Sequence, residues 1–209
     1  MFDDRTDAGE RLAADLSRRG VDADVVLGIP RGALPVARPV ADELEAELDV
    51  VVASKIGAPT NPELAIGAVA SDGSVWRNEG LVARLGVSEG YVEQEREREA
   101  TYAREKADRY RDDGIVPDLE GKRVVVVDDG VATGATARAC LRQVTEAGAD
   151  HVVLAVPVGS PDSLEEIASE VDEVVALERP PHFGAVGQFY RQFGQVSDEE
   201  AITYLDDRP

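Results

Sequence analysis

Four consecutive valines, Val124 to Val127, run directly into two acids, Asp128 and Asp129. An unbroken β-branched run fits a strand covered on both faces, as at the centre of a parallel sheet. Open α/β sheets bind their ligands just outside the carboxyl ends of such strands, which is where the acids stand. Gly130-Val131-Ala132-Thr133-Gly134-Ala135-Thr136 follows. The two glycines permit a tight turn whose backbone N–H groups can approach an anion, and Thr133 and Thr136 add hydroxyl donors. Residues from Ala135 to Leu141 are good helix formers, so the positive end of a helix would face the bound group. One side of the turn therefore suits a phosphate, and the other suits hydroxyl groups. Two other readings start from the same acids. A Walker B strand also ends in carboxylates, but it needs a Gly-x-x-x-x-Gly-Lys-Ser/Thr loop, which this chain lacks. An acidic phosphoacceptor pocket leaves the Gly/Thr loop without a role.

The rest of the chain is ordinary in its apolar content and unusual in its charge. At 209 residues with 43% hydrophobic side chains it can bury a substantial core, and a single domain over 1–209 is expected. Asp and Glu number 42 against 22 Lys and Arg, a net charge of −20, with acids scattered along every segment. Extended nucleic-acid binding is disfavoured by that balance. A salt-adapted, halophilic surface is expected, kept soluble by carboxylates whose repulsion high ionic strength screens. The single cysteine, Cys140, has no disulfide partner and reads as a small packing residue. No apolar run approaches the length needed to span a bilayer. The first residues lack the pattern of a signal peptide, so a cytoplasmic location is expected.

Taken in order, Asp7 to Arg19 carries apolar residues at helical spacing and ends at Gly20. Val25 to Ile29 reads as a short buried strand, followed by Pro30-Arg31-Gly32-Ala33-Leu34-Pro35 and a helix through Leu44. A glycine beside an arginine, flanked by prolines at a strand's carboxyl end, points to a fixed anion-binding turn; an exposed arginine on a steric turn is the plainer alternative. Asp49 to Ala53 is the next strand, delivering Ser54-Lys55-Ile56-Gly57. Lys55 is one of three lysines in the chain, either a point charge on the ligand edge or a surface residue. Residues 58–63 are turn chemistry, Leu64 to Ala70 a strand, and residues 71–74 its turn. Val87 to Arg111 reads as an inserted helix capped by Ser88, its charges alternating in sign and its apolar stripe narrow. No chemistry is expected of it. Asp112 to Gly121 is a linker, with Gly114 and Pro117 as breakers. His151 to Val158 and Val171 to Leu177 complete the strands, with a helix from Ser163 to Ser169 between them. This alternation predicts an α/β fold with a doubly wound, mostly parallel sheet. Residues 179–209 break the rhythm with an aromatic-rich segment containing Phe183, Phe189 and Tyr190.

The valine run, acid pair and Thr-Gly loop together resemble the phosphoribosyl pyrophosphate (PRPP) signature of the type I phosphoribosyltransferases. The resemblance extends from Val25 to about Leu177. The runs Ile29-Pro30-Arg31-Gly32, Pro62 to Val69, Val186-Gly187-Gln188 and Gln195 to Glu200 look like a subgroup of stand-alone members whose acceptor is unassigned. It implies that Asp128 and Asp129 hold the ribose hydroxyls, Asp129 also meeting Mg²⁺ through water. It gives Gly130, Ala132, Thr133, Gly134, Ala135 and Thr136 to the 5′-phosphate. Arg31, with Gly32, and Lys55 would serve the pyrophosphate. The family also implies a loop near residues 58–63 that closes over PRPP, a small hood to which residues 179–209 contribute, and a possible homodimer. Phe183 would then stack on the acceptor, unless it simply closes the core. Glu63 would serve as a base, unless it is a solvated turn acid. Enzymes acting on 6-oxopurines carry an Asp before the Thr-Gly pair; Ala132 stands there, which shifts the expectation toward adenine-type acceptors. The rivals within the resemblance are a non-catalytic PRPP sensor and a PRPP hydrolase.

Overall fold

The computed structural model describes residues 1–111 and 117–206. The chain runs through α1 (Arg5–Arg19), β1 (Val25–Gly28), α2 (Leu34–Glu43) and β2 (Glu47–Val50), then three strands, β3 (Ala53–Ala58), β4 (Asn61–Ala70) and β5 (Val75–Arg77). Two helices, α3 (Glu79–Leu85) and α4 (Glu89–Asp108), precede β6 (Arg123–Val127), α5 (Ala135–Glu146), β7 (His151–Val158), α6 (Pro161–Ile167) and β8 (Glu173–Glu178). A single 3-10 turn, Val186–Phe189, and α7 (Asp198–Asp206) follow. The expected Asp112–Gly121 linker lies partly outside the described residues.

The valine run forms the middle of a five-stranded parallel sheet in the order β2-β1-β6-β7-β8. Its side chains alternate between two cores. Val124 and Val126 join Leu141, Val144 and Leu164 beneath α5 and α6, while Val125 and Val127 join Leu12, Leu16, Val36 and Val40 beneath α1 and α2. All four valines are buried, each burial contributing about 1.5–3 kcal/mol. The sheet is doubly wound: β1 leads to β2 on one side, and β6 leads to β7 and β8 on the other. The switch point falls between the carboxyl ends of β1 and β6, where such sheets form a crevice.

The expected strand from Asp49 to Ala53 does not exist as one element. β2 ends at Val50 in the parallel sheet, Val51 and Val52 cross over, and Ala53 opens β3 in a separate antiparallel sheet, β3-β4-β5. Lys55 consequently lies inside β3, facing Ala68 across the pair, and not at the end of a parallel strand. Residues 58–63 are largely strand as well. Ala58 pairs with Asn61 around Pro59 and Thr60, and a register shift at Gly57 absorbs the irregularity beside Pro62. α4 begins as expected, the Ser88 hydroxyl accepting from the Tyr91 N–H at 3.3 Å. Of its narrow stripe, Val92 and Ala100 are buried against Ile56 and Ile66 of β3 and β4, Ala103 and Ala107 against Leu34, Val50 and Val52, and most of its charged residues other than Glu95 face outward.

Candidate functional site

Strand pairing puts the two suspected loops side by side. Gly28, the last residue of β1, is in register with Val127, the last of β6. The turn through Pro30, Arg31 and Gly32 therefore leaves the sheet next to Asp128 and Asp129. Gly32 is close enough that a Cβ there would lie 2.3 Å from Asp129 Oδ2, so any larger residue would have to push that carboxylate aside. The Pro30–Arg31 peptide is cis.

Beyond the acids the chain turns into α5 through Gly134, whose φ of 74° is the left-handed geometry that favours glycine. No side chain caps that helix, which leaves its first N–H groups directed into the turn. The loop is pinned from below: Val131 N–H donates to Val158 O at 3.0 Å, and the Ser163 hydroxyl donates to Ala132 O at 2.6 Å. Asp128 to Ala137, Lys55 and Val186 line a hollow of about 230 Å³. The hollow thus gathers the acid pair, Gly130, the Ala132–Thr136 turn and one lysine. Val186 fits there because Gly130 has no Cβ; one at that position would lie 2.6 Å from its Cγ1.

Both carboxyls are pushed above the usual aspartate range. For Asp128 the causes are burial and the neighbouring Asp129, opposed by the Asp129 N–H at 2.8 Å and by Lys55 and Arg5. For Asp129 the cause is burial, opposed by Arg5, whose Nε lies 2.8 Å from Oδ2. Arg5 is further held by Gly194 O at 2.8 Å and by the Phe193 ring, 3.8 Å from its guanidinium carbon. The Tyr190 hydroxyl donates to Asp129 O at 2.6 Å. Both chain ends therefore clasp the second acid. Nothing in the local sequence marks Arg5, which lies 124 residues from its partner.

Other candidates lie elsewhere. Arg31 is 44% exposed in its side chain and stands 3.9 Å from Asp198 of α7, outside the hollow's lining. Glu63 is exposed on β4 and does not line the hollow. Phe183 stacks on Phe189 with ring centroids 5.3 Å apart, packed against Phe2, Val158 and Tyr190. Cys140 is buried, and burial pushes its thiol well above its ordinary value, as expected of a packing residue. Among the described residues no three acidic, histidine or cysteine side chains converge as a metal cage, and no helix is long and apolar enough to cross a membrane.

Residues 3–193 match the family model described as "Phosphoribosyl transferase domain". Two Mycobacterium tuberculosis proteins named "Putative phosphoribosyl transferase", from strains CDC 1551 and H37Rv, are each 44% identical over 206 residues, 99% of this chain. The chain spans 46% of each, about half the length of these curated relatives. The crystal structure of TT1426 from Thermus thermophilus is 44% identical and superposes with a TM-score of 0.83, over 98% of this chain and 97% of that one. A family match over nearly the whole chain, on a sheet whose switch point carries the acid pair and the Gly/Thr turn, shows that the chain belongs to the phosphoribosyl transferase domain family.

Proposed function

We propose that the protein transfers ribose 5-phosphate from PRPP to a nitrogen of a small acceptor of the nucleobase type, releasing pyrophosphate. The observation that carries this reading is the single hollow in which two carboxylates face a loop of backbone N–H and hydroxyl donors. A sugar phosphate has that same polarity, hydroxyls at one end and an anion at the other. Asp128 and Asp129 accept from the ribose hydroxyls; the loop from Gly130 to Thr136 donates to the 5′-phosphate, assisted by the positive end of α5.

In the reaction the C1′–oxygen bond to pyrophosphate breaks, the leaving group takes the electron pair, a nitrogen–C1′ bond forms, and the proton displaced from that nitrogen passes to the departing pyrophosphate or to solvent. Charge builds on pyrophosphate and on the ribose ring, so catalysis needs cations at one end and fixed carboxylates near the other. Lys55, lining the hollow, and Arg31, on the adjacent turn, are assigned to the departing charge. Asp128 and Asp129 hold the ring and favour its positive character. Their donor set suits Mg²⁺, which takes one or two carboxylates together with substrate oxygens and keeps several waters. A full protein cage, absent among the described residues, is not required of it. Bound there, Mg²⁺ neutralises charge on the oxygens it meets. Phe183 and Glu63 are assigned to the acceptor only as neighbours of the hood and hairpin.

Incubation with Mg-PRPP and a panel of nucleobases, following pyrophosphate release, tests the reading. Release that depends on one base supports transfer. Release without any base makes the protein a hydrolase, and binding without release makes it a sensor. Asp129→Asn should lower Mg-PRPP binding or turnover at least about tenfold, the loss of one charged hydrogen bond to the ribose; wild-type behaviour there would remove the assignment.

A further inference from the structure

α4, the charged helix for which sequence alone suggests no chemistry, sends one side chain back to the site. Lys106 is partly buried, and its ammonium donates to Pro30 O at 2.9 Å, the carbonyl that opens the Arg31–Gly32 turn. An ammonium has three donors, and this carbonyl occupies one of them. Among the described residues no carboxylate lies within 4.0 Å of it. Burial and then the charge of Arg31 push Lys106 below its ordinary value, while Asp198 and Asp128 oppose that shift. One cation on the turn and one reaching it from α4 thus repel each other.

Asp198, in the first turn of α7, offsets part of that charge. Arg31 Nε lies 3.9 Å from its Oδ1 and Arg109 lies 3.8 Å from its Oδ2, while the Tyr110 hydroxyl donates to Oδ1 at 2.7 Å. The short contact is therefore to the phenol. Both guanidinium contacts are well beyond the 2.7–2.9 Å of a charge-assisted hydrogen bond, and such partly exposed pairs contribute little. A more highly charged anion can take these cations from a single carboxylate without breaking a strong pair.

Resting on the transferase reading above, we propose that Lys106 binds the pyrophosphate end of PRPP together with Arg31, and that Asp198 competes with pyrophosphate for the same cations. Three elements distant in sequence, the β1 turn, α4 and α7, would then control release of the leaving group.

Titration of the protein with Mg-pyrophosphate, with Mg-PRPP and separately with ribose 5-phosphate, which lacks the pyrophosphate, tests the inference. Lys106→Met should weaken pyrophosphate and PRPP binding about tenfold or more, the loss of a charged hydrogen bond, and leave ribose 5-phosphate within about twofold. Equal losses for all three ligands, or no loss, would overturn it. Asp198→Asn keeps an acceptor for Tyr110 and removes the charge; it should tighten pyrophosphate binding about threefold. Unchanged or weaker binding in that variant counts against the inference even where Lys106→Met does not fold. Wild-type protein that binds ribose 5-phosphate and PRPP, with a Lys106→Met variant binding both equally well, would sink this inference and spare the transferase reading. Wild-type protein that binds none of the three would overturn both.

Discussion

Replacing Arg5 with methionine takes away the cation against which Asp129 is held. The two side chains are 12% and 16% exposed and their ion pair is 2.8 Å long, so the carboxylate left behind would remain largely buried beside a second acid. Breaking a buried pair from one side costs about 3–5 kcal/mol. Asp129 lines the hollow and keeps 16% of its side chain exposed, which favours the lower end, about 3 kcal/mol. For a chain of this size each kcal/mol lowers the melting temperature by about 2–4 °C, hence a drop of about 6–12 °C. Arg5 also contacts Gly194 O and the Phe193 ring, and those losses must be separated from the ion pair. A double-mutant cycle does so, because Arg5→Met in the Asp129→Asn background loses the same secondary contacts without stranding a charge. Urea unfolding of the four proteins should give a coupling of at least about 1.5 kcal/mol. A coupling below about 0.5 kcal/mol would show that the pair is not what holds the second acid in place.

Gly32→Ala should displace Asp129, since the new Cβ would stand 2.3 Å from its Oδ2; a cost of about 1–3 kcal/mol in a melt and weaker Mg-PRPP binding are expected, and wild-type affinity would refute the close approach. Arg111 and Asp49 form a second ion pair with side chains only 10% and 15% exposed, so Arg111→Met should cost about 3 kcal/mol in urea unfolding, with much of it restored by adding Asp49→Asn. Burial raises Asp128 above the ordinary 3.8, so the folded state binds more protons than the unfolded state above that pH, and this group's contribution to stability falls as pH rises toward its folded value. Asp128→Asn removes that decline, and relative to wild type it should gain stability as pH rises above about 4 while losing PRPP binding; a constant offset across pH would contradict the assignment. With a net charge of −20, melting temperature should rise between low and molar salt, and equal or greater stability at low salt would count against a salt-adapted surface.

Much of the framework can be read from local pattern. The valine run needs no partner to declare itself: a strand apolar at every position must be covered on both faces, and its side chains do alternate between the α5–α6 core and the α1–α2 core. The acid pair and the Gly/Thr turn follow it directly in the chain, so their adjacency is covalent. The first helix and the Ser88 cap are likewise short-range, set by residues within a few positions of one another. Where an apolar run continued through Val50, Val51 and Val52, local pattern failed, because periodicity cannot say that one continuous run serves two sheets.

What tertiary structure alone decided is which distant groups meet the acids and the β1 turn beside them. Arg5 reaches Asp129 across 124 residues, Tyr190 reaches its carbonyl across 61, and Lys106 reaches Pro30 across 76. None of these side chains carries a local mark, since an arginine, a tyrosine or a lysine on a helix or tail looks the same whether it faces solvent or a carboxylate. Their contacts depend on burial and on distances of about 3 Å that exist only once both cores have closed, so the sequence marked the candidate acids and loop while packing chose the side chains around them.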